Sequence, residues 1–302
     1  MAFSSLRAVI GGGGETSGNP NAIFGYGTTG SNVSMTNKVN SSGVVATDTT
    51  GVGTARLDLA AAGYGTDKAI FGYGYASSRV SVTNLVSNAG VVATDTTGVG
   101  TARSALAAAG YGSDKAIFGY GHDGSAASMT NKVSNAGVVA TDTTGVGTSR
   151  YYLTAAGYGT DKAIFGYGET GSSTVSMTNL VSNAGVAATD TTGVGTARYY
   201  LAAAGYGTDK AIFGYGTTGS NVSITNLVSN AGVVATDTTG VGTDRSQLGA
   251  AGYAFEKAIF GYGGAASGRV SMTNKVSNAG VVATDTTGVG TARNALSAAS
   301  YG

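Results

Sequence analysis

Acidic and basic side chains recur at a fixed spacing in this sequence, and they are the first candidates for chemistry. The acidic set is Asp48, Asp95, Asp142, Asp190, Asp237 and Asp285, and the basic set is Arg56, Arg103, Arg150, Arg198, Arg245 and Arg293. Each aspartate stands alone among threonine hydroxyls, whereas calcium takes about six to eight oxygen ligands, several of them carboxylates. We therefore predict that each aspartate caps its own turn through backbone hydrogen bonds. The arginines could face a common axis and bind anions, but we favour pairing with a nearby aspartate or with backbone carbonyls between repeats.

Groups for nucleophilic or metal-assisted catalysis are scarce. The chain has no cysteine and a single histidine, His122, in a loop where the other copies carry different residues. Without a cysteine, a second histidine or a clustered pair of acids, the sequence offers neither a catalytic triad nor a two-histidine metal site. The Gly-Tyr-Gly and Gly-Val-Gly strings lack the Gly-Lys-Ser/Thr of a phosphate-binding loop. The sequence therefore predicts a protein that is not an enzyme, with no catalytic residues, metal or cofactor, and we interpret His122 as exposed and not catalytic.

Positions that vary between copies are the remaining candidates for function. One variable place is the loop after each Gly-Tyr-Gly, and the other is the pair of residues after each repeated arginine. The candidate binding face comprises Tyr75, Arg79, His122, Tyr151, Tyr152, Glu169, Tyr199, Tyr200 and Arg269. Neutral drift of exposed loops would produce the same variation. The functional interpretation is a face whose tyrosines stack on sugars or on a partner protein.

An internal repeat organises all of these residues. The string Ala-Ile-Phe-Gly-Tyr-Gly begins at Ala22, Ala69, Ala116, Ala163, Ala211 and Ala258, at intervals of 47 or 48 residues. Six copies of one unit at this period are typical of a solenoid, a propeller or another repeat architecture.

Four segments of each unit are predicted to be strands. In one copy they are Lys68–Tyr73, Val80–Val86, Gly90–Thr94 and Leu106–Tyr111. The second alternates with period two, and the third ends at a turn-forming Asp-Thr-Thr-Gly string. The fourth is rich in alanine and has helical propensity, but it is short and flanked by glycine, so we expect a strand held by its surroundings.

Four strands in each unit of 47 or 48 residues predict an all-β fold, a six-bladed β-propeller with four-stranded blades. The chain begins inside a unit and ends with the alanine-rich segment that the first unit lacks, so we expect the C-terminal strand to pair with the N-terminal blade. We predict an N-terminal arm and hinge over residues 1–20 and the propeller over residues 21–302. A β-solenoid is the alternative, although the C-terminus has no distinctive cap.

Composition and charge narrow the function classes. The chain has 17 basic and 16 acidic residues, so it lacks the positive footprint of a nucleic-acid-binding protein. No apolar run is long enough for a transmembrane helix, and the start lacks the apolar core of a signal peptide. We expect no nucleic-acid partner, no membrane insertion, no signal peptide, and synthesis in a cytoplasm.

The unit resembles two known kinds of repeat. The segments Ala69–Gly74 and Gly100–Arg103 stand where a kelch repeat has its apolar strand with glycines and its arginine, although tryptophan is absent here. The resemblance implies a kelch-like β-propeller. Asp-Thr-Thr-Gly-Val-Gly-Thr-Ala-Arg, followed by Leu-Ala-Ala-Ala-Gly-Tyr-Gly and Lys-Ala-Ile-Phe-Gly-Tyr-Gly, is also similar to repeats in virion structural proteins of tailed bacteriophages. That similarity implies a virion protein associated with the tail or its fibres.

These inferences lead to two expectations about function. The first is a non-enzymatic structural protein of a phage virion, acting in assembly or receptor binding, with other virion proteins bound through one propeller face or an N-terminal arm. The apolar residues of that arm are Phe3, Leu6, Val9 and Ile10. The alternative is a soluble carbohydrate-binding lectin that uses the variable loops, with a host surface glycan as a possible ligand.

Overall fold

Strands are the only regular elements between residues 20 and 302, the part of the chain that the computed structural model describes. They are β1 (Asn21–Gly25), β2 (Thr36–Val39), β3 (Ala60–Tyr64), β4 (Lys68–Gly72), β5 (Thr83–Val86), β6 (Ala107–Tyr111), β7 (Lys115–His122), β8 (Ala126–Val133), β9 (Thr154–Tyr158), β10 (Lys162–Gly166), β11 (Thr178–Val181), β12 (Ala202–Tyr206), β13 (Lys210–Gly214), β14 (Thr225–Val228), β15 (Gly249–Tyr253), β16 (Lys257–Gly261), β17 (Gly264–Ala265), β18 (Gly268–Arg269), β19 (Thr273–Val276) and β20 (Ser297–Tyr301). The predicted arm over residues 1–20, with Phe3, Leu6, Val9 and Ile10, lies outside the described residues except for Pro20.

Each repeat contributes one small antiparallel sheet with the alanine-rich strand at one edge. The three-stranded sheets have the orders β3-β4-β5, β6-β7-β8, β9-β10-β11, β12-β13-β14, β15-β16-β19 and β20-β1-β2, and β17 pairs with β18 in a two-stranded sheet. The Ile-Phe-Gly strand is central in all six, so its backbone is bonded on both sides. The all-β prediction is confirmed for the described residues.

The alanine-rich segments are strands, as predicted. In the third repeat Ala107 pairs with Gly119, and Tyr111 pairs with Lys115 across a tight connection. All five residues of β6 are buried, because this strand also lies against β3 and β9 of the neighbouring sheets. Small side chains allow that close approach, and pairing and burial outweigh the helical propensity of alanine.

The prediction of a strand at Gly90–Thr94 is wrong, so the sheets have three strands and not four. The segment touches β5 only at isolated bridges, from Val92 to Val86 and from Thr96 to Thr83. Between them the Asn84 amide donates to the Ala93 carbonyl at 3.0 Å and to Asp95 at 2.9 Å. A side chain therefore makes the bonds that a continuous ladder would otherwise supply.

Aromatic rings fill the space between adjacent sheets. The ring centroids of Tyr73 and Phe118 are 5.1 Å apart, and both side chains are fully buried. Equivalent pairs recur at the other boundaries, including Phe24 with Tyr262 at 5.1 Å. Tilted aromatic pairs add about 0.5–1.5 kcal/mol beyond the burial of their area.

A buried arginine joins each sheet to the next. Arg103 is fully buried; its guanidinium lies over the Tyr73 ring at 4.5 Å and donates to the Tyr120 carbonyl at 2.8 Å and to Asn131 at 2.6 Å. It also lies 3.8 Å from Asp142. The predicted pairing with backbone carbonyls and aspartate is confirmed, and the alternative of arginines that bind anions on a common axis is wrong.

The repeated aspartates have a structural role, but they bond to the preceding repeat and not to their own turn. The Asp142 carboxylate accepts hydrogen bonds from the Thr101 backbone and hydroxyl at 3.0 and 2.7 Å and from Asn131 at 2.8 Å. Burial by itself would raise the pKa of Asp142, but these bonds and the nearby Arg103 charge hold it below its ordinary value. The carboxylate is therefore ionised at neutral pH and links two repeats.

Contacts of the same kind join the last repeat to the first. Strand β20 pairs with β1 between Tyr301 and Asn21 at one end and Ser297 and Gly25 at the other. Thr291 donates to the carboxylate of Asp48 at 2.5 Å, the same bond that the other repeats make with their neighbours. β20 also lies against both β3 and β15, so each alanine-rich strand has one on either side.

Candidate functional site

The two variable segments of the repeat lie together on one face. Backbone bridges join the residue after each repeated arginine to the loop after Gly-Tyr-Gly, for example Tyr151 to Glu169 and Ser104 to His122. The same bridge joins Leu57 to Tyr75. Substitutions that are far apart in sequence thus change one continuous surface, which we call the variable face.

Backbone hydrogen bonds close a ring at the centre of this face. It comprises the second residue after each repeated arginine, namely Asp58, Ala105, Tyr152, Tyr200, Gln247 and Ala295, and we call it the mouth ring. The N–H of each donates to the carbonyl of the preceding member, and the N–H of Asp58 donates to the Ala295 carbonyl at 2.9 Å. All six residues have φ between 51° and 56°. That left-handed backbone is uncommon for residues other than glycine, and the six bonds hold it in place.

A central cavity of about 100 Å³ lies beneath the mouth ring and is lined by residues of all six repeats. Its deeper wall is alanine and leucine, including Leu59, Leu106 and Leu201. A second cavity of about 50 Å³ continues between the alanine-rich strands. The small alanine side chains leave this axial space open, and the side chains of the mouth ring border its entrance.

Five aromatic side chains form a connected cluster beside the entrance. This aromatic cluster consists of His122, Tyr151, Tyr152, Tyr199 and Tyr200. The Tyr152 and Tyr200 rings are 3.9 Å apart, Tyr151 lies edge-on to Tyr152 at 4.9 Å, and Tyr199 is 5.2 Å from Tyr200. All five are half-buried, so a ligand would find rings that are already packed in position.

His122 is half-buried, and the prediction that it is exposed is wrong. The Arg79 guanidinium donates to its Nδ1 at 2.5 Å, and its ring is 5.1 Å from that of Tyr151. Burial and the charge of Arg79 lower the pKa of His122. The imidazole is therefore neutral at pH 7 and acts as an acceptor that holds Arg79 beside the cluster.

The other predicted face residues are not part of the aromatic cluster. Tyr75 is 39% exposed on the loop beside Leu57. Arg269 is exposed and donates to Asn294 at 3.1 Å. Glu169 is half-buried in its bridge to Tyr151. The structure therefore gathers the tyrosines and His122 into one cluster and leaves Tyr75 and Arg269 at separate places.

Sequence reasoning missed Asp58 and Gln247, which share the mouth ring with Tyr152 and Tyr200. Burial raises the pKa of the Asp58 carboxyl to about 7. Burial, with the neighbouring Tyr152 hydroxyl, raises the pKa of Tyr200. Gln247 accepts a hydrogen bond from Asn294 at 2.6 Å. The sequence did contain a signal for both residues. Each is the second residue after a repeated arginine, the variable position that Tyr152 occupies in its own repeat.

The described part of the chain contains neither a cluster of metal-ligating side chains nor a membrane-spanning helix. Between residues 20 and 302, no group of three or more histidine, cysteine, aspartate or glutamate side chains is placed to hold a metal ion. None of the described residues belongs to a helix long and apolar enough to cross a membrane.

Comparison with known proteins gave no match. No model of a protein family matches the sequence, and no curated protein matches it either.

Proposed function

We propose that the chain is a six-bladed β-propeller that acts as a non-enzymatic binding module and binds a saccharide on its variable face. Contacts between the last and first repeats support the architecture. Arg293 lies over the Tyr262 ring and donates to the Tyr26 carbonyl at 2.9 Å. Arg56, Arg103 and Arg198 make the same two contacts between consecutive repeats. An open solenoid would instead carry distinct caps on its terminal repeats.

The aromatic cluster is the observation that carries the binding function. Saccharides present apolar C–H faces edged by hydroxyls, and tyrosine offers a flat apolar ring with a polar tip. Next to these tyrosine side chains, the mouth ring supplies the carboxyl of Asp58 and the amide of Gln247 as hydrogen-bonding groups. A few polar groups at the edge of an aromatic surface are typical of small-ligand sites.

The repeat itself supplies substitutions that remove the cluster and are compatible with the fold. Serine stands at positions 104 and 246, which are equivalent to Tyr151 and Tyr199, and alanine stands at positions 105 and 295, equivalent to Tyr152 and Tyr200. The variant with Y151S, Y152A, Y199S and Y200A therefore carries residues that the same backbone already accepts, at φ of 55° and 53° in the two alanine cases.

A glycan array tests the proposal with this variant and a matched control. We expect the unaltered protein to bind a defined set of glycans and the four-residue variant to lose at least about tenfold in affinity, the order seen when central aromatic contacts are removed. Phe255→Ala is the control, because Phe255 is 56% exposed at the opposite end of β15 from the mouth ring. Absence of glycan binding, or equal binding by both variants, would overturn the proposal.

A place in a phage virion is a second proposal, with receptor binding or assembly as its role. It rests on the resemblance of the repeats to virion structural proteins, and exposed apolar residues at the sheet edges favour it. One valine per repeat is exposed at the bridged outer segment: Val44, Val91, Val138, Val186, Val233 and Val281. A structural protein would bury such residues against other virion proteins.

Mass spectrometry of purified particles from the producing phage tests this placement. We expect the chain to be present in stoichiometric amount and to be lost from particles when residues 2–18, which contain the apolar arm, are deleted. Particles without the chain would contradict the placement, and full incorporation of the truncated chain would contradict docking through the arm.

A further inference from the structure

Asp58 places one carboxyl on the mouth ring. The five equivalent positions carry alanine, tyrosine or glutamine. Its backbone is fully used, because its N–H donates to Ala295 at 2.9 Å and its carbonyl accepts from Ala105 at 2.8 Å. Its carboxyl, in contrast, receives no hydrogen bond and no ion pair from the residues that the structure describes. The carboxyl is therefore available to pair with a ligand.

The groups around Asp58 are suited to a cation. Ala105 and Ala295 flank it and leave space, and the stacked rings of Tyr152 and Tyr200 stand across the mouth ring. Aromatic faces attract a desolvated cation, and a carboxylate neutralises it. No lysine or arginine is among the side chains that line the cavity in the described part of the chain, so that positive charge has to come from outside.

The size of the cavity admits such a cation. A space of about 100 Å³ exceeds the ~10–15 Å³ needed for a single water. An ammonium with the carbon that carries it fits within this space, and the tyrosines beside the mouth ring are placed to contact the sugar ring. The arrangement thus fits a sugar that points one amino group downward.

We infer that the ligand of the variable face is an amino sugar, whose primary ammonium enters the central cavity and pairs with the Asp58 carboxylate. This inference rests on the proposed saccharide binding. Asp58 selects the ammonium, and the aromatic cluster contacts the sugar ring.

The ionisation of Asp58 gives the interaction a direction with pH. Because burial raises its pKa to about 7, the free carboxyl is largely protonated at pH 5.5 and largely ionised at pH 8. Tyr152 and Tyr200 are the other titratable groups on the mouth ring, and both have raised pKa values, so they stay neutral over this range. The fraction of Asp58 that is ionised and can pair with an ammonium therefore falls as the pH is lowered from 7.5 to 5.5.

Calorimetric titration with two trisaccharides tests the inference: the fully deacetylated glucosamine trimer and its N-acetylated counterpart. At pH 7.5 we expect the deacetylated trimer to bind at least tenfold more tightly. Asp58→Ala, with the residue found at two equivalent positions, should abolish that preference, so that the ratio of the two affinities falls to about one. A melting temperature for the variant at or above that of the unaltered protein will show that it is folded.

The outcomes separate this inference from the proposal beneath it. If the acetylated trimer or another glycan binds but the deacetylated trimer is not preferred, the amino-sugar inference is overturned while saccharide binding stands. A preference that persists in Asp58→Ala also overturns it. If no glycan binds and the four-tyrosine variant behaves like the unaltered protein, the proposed function fails and the inference fails with it.

Discussion

At the scale of single residues, the buried arginines make the most demanding set of contacts in the molecule. At the Arg103 boundary the guanidinium satisfies three kinds of partner at once: a carbonyl, an asparagine amide oxygen and an aromatic face. Lysine could not reproduce this geometry, because its ammonium is a compact point charge that lacks the planar fork. A buried charge that loses some of its partners is strongly destabilising.

We predict that Arg103→Lys lowers the free energy of unfolding by about 3 kcal/mol, the order found when a buried charged pair is broken. Chemical denaturation of the variant measures it. Arg269→Lys is the matched control, because Arg269 is exposed, and its effect should stay within about 0.5 kcal/mol. Equal effects of the two substitutions would show that the buried network does not stabilise the fold.

Asp58 predicts a dependence of stability on pH. Its pKa in the folded protein is about 7, whereas an unfolded aspartate titrates at about 3.9. As the pH rises, the unfolded chain therefore loses this proton at a lower pH than the folded protein does. The free energy of unfolding accordingly falls as the pH rises from about 4 through about 7. The melting temperature of Asp58→Ala should accordingly exceed that of the unaltered protein by more at pH 8 than at pH 5. His122, whose pKa is lowered, is common to both proteins and cancels in the difference; a constant difference would contradict a raised pKa.

At the scale of elements, the spacing between sheets depends on the glycine that follows the phenylalanine of each central strand. A Cβ added to Gly72 would lie 2.7 Å from Cζ of Phe118, a ring held by the neighbouring sheet. Gly72 closes β4 opposite Ala60 and Thr83, so neither its strand nor the ring can move without disturbing pairing. The repeat keeps glycine here because two sheets meet at this atom.

We predict that Gly72→Ala destabilises the protein by about 1–3 kcal/mol, as overpacking of a close-packed core does. Gly264→Ala serves as the comparison, because its added Cβ would meet Asn294 at 3.4 Å, an ordinary contact, and should change stability little. Thermal denaturation of both variants checks the pair. A neutral Gly72→Ala would mean that the sheets lie further apart than described.

The sequence was sufficient to predict the elements whose bonds are local or repeated. The alanine-rich strand was predictable because its length and flanking glycines exclude a stable helix. The missing strand at Gly90–Thr94 was not, since its bonds come from the Asn84 side chain. Similarly, variation between copies identified Tyr152 and Tyr200 as candidates. It did not show that Asp58 belongs to the same mouth ring, because that proximity depends on contacts between repeats far apart in sequence.

At the scale of the whole molecule, the variable face depends on closure of the repeats. Asp58 and Tyr200 belong to different repeats and border one cavity only if every sheet has a neighbour on both sides. The hydrogen bonds between the first and last repeats are of the same kind as those between consecutive repeats. For example, the bond from Thr291 to Asp48 and the bond from Thr54 to Asp95 are both 2.5 Å long. The proposed closed ring would also leave no terminal sheet with an uncovered face.

Crosslinking of the two ends measures this closure most directly, and the chain offers a clean background because it has no cysteine. Asp48→Cys with Thr291→Cys places thiols at the bond between the last and first repeats, and Asp95→Cys with Thr54→Cys makes the same contact between consecutive repeats. Treated with a short bismaleimide at low protein concentration, both pairs should link within single chains to the same extent, whereas Asp48→Cys with Thr148→Cys should not link. A closed ring would be contradicted if the consecutive pair linked but Asp48→Cys and Thr291→Cys did not. It would also be contradicted if Asp48→Cys and Thr291→Cys linked only between different chains.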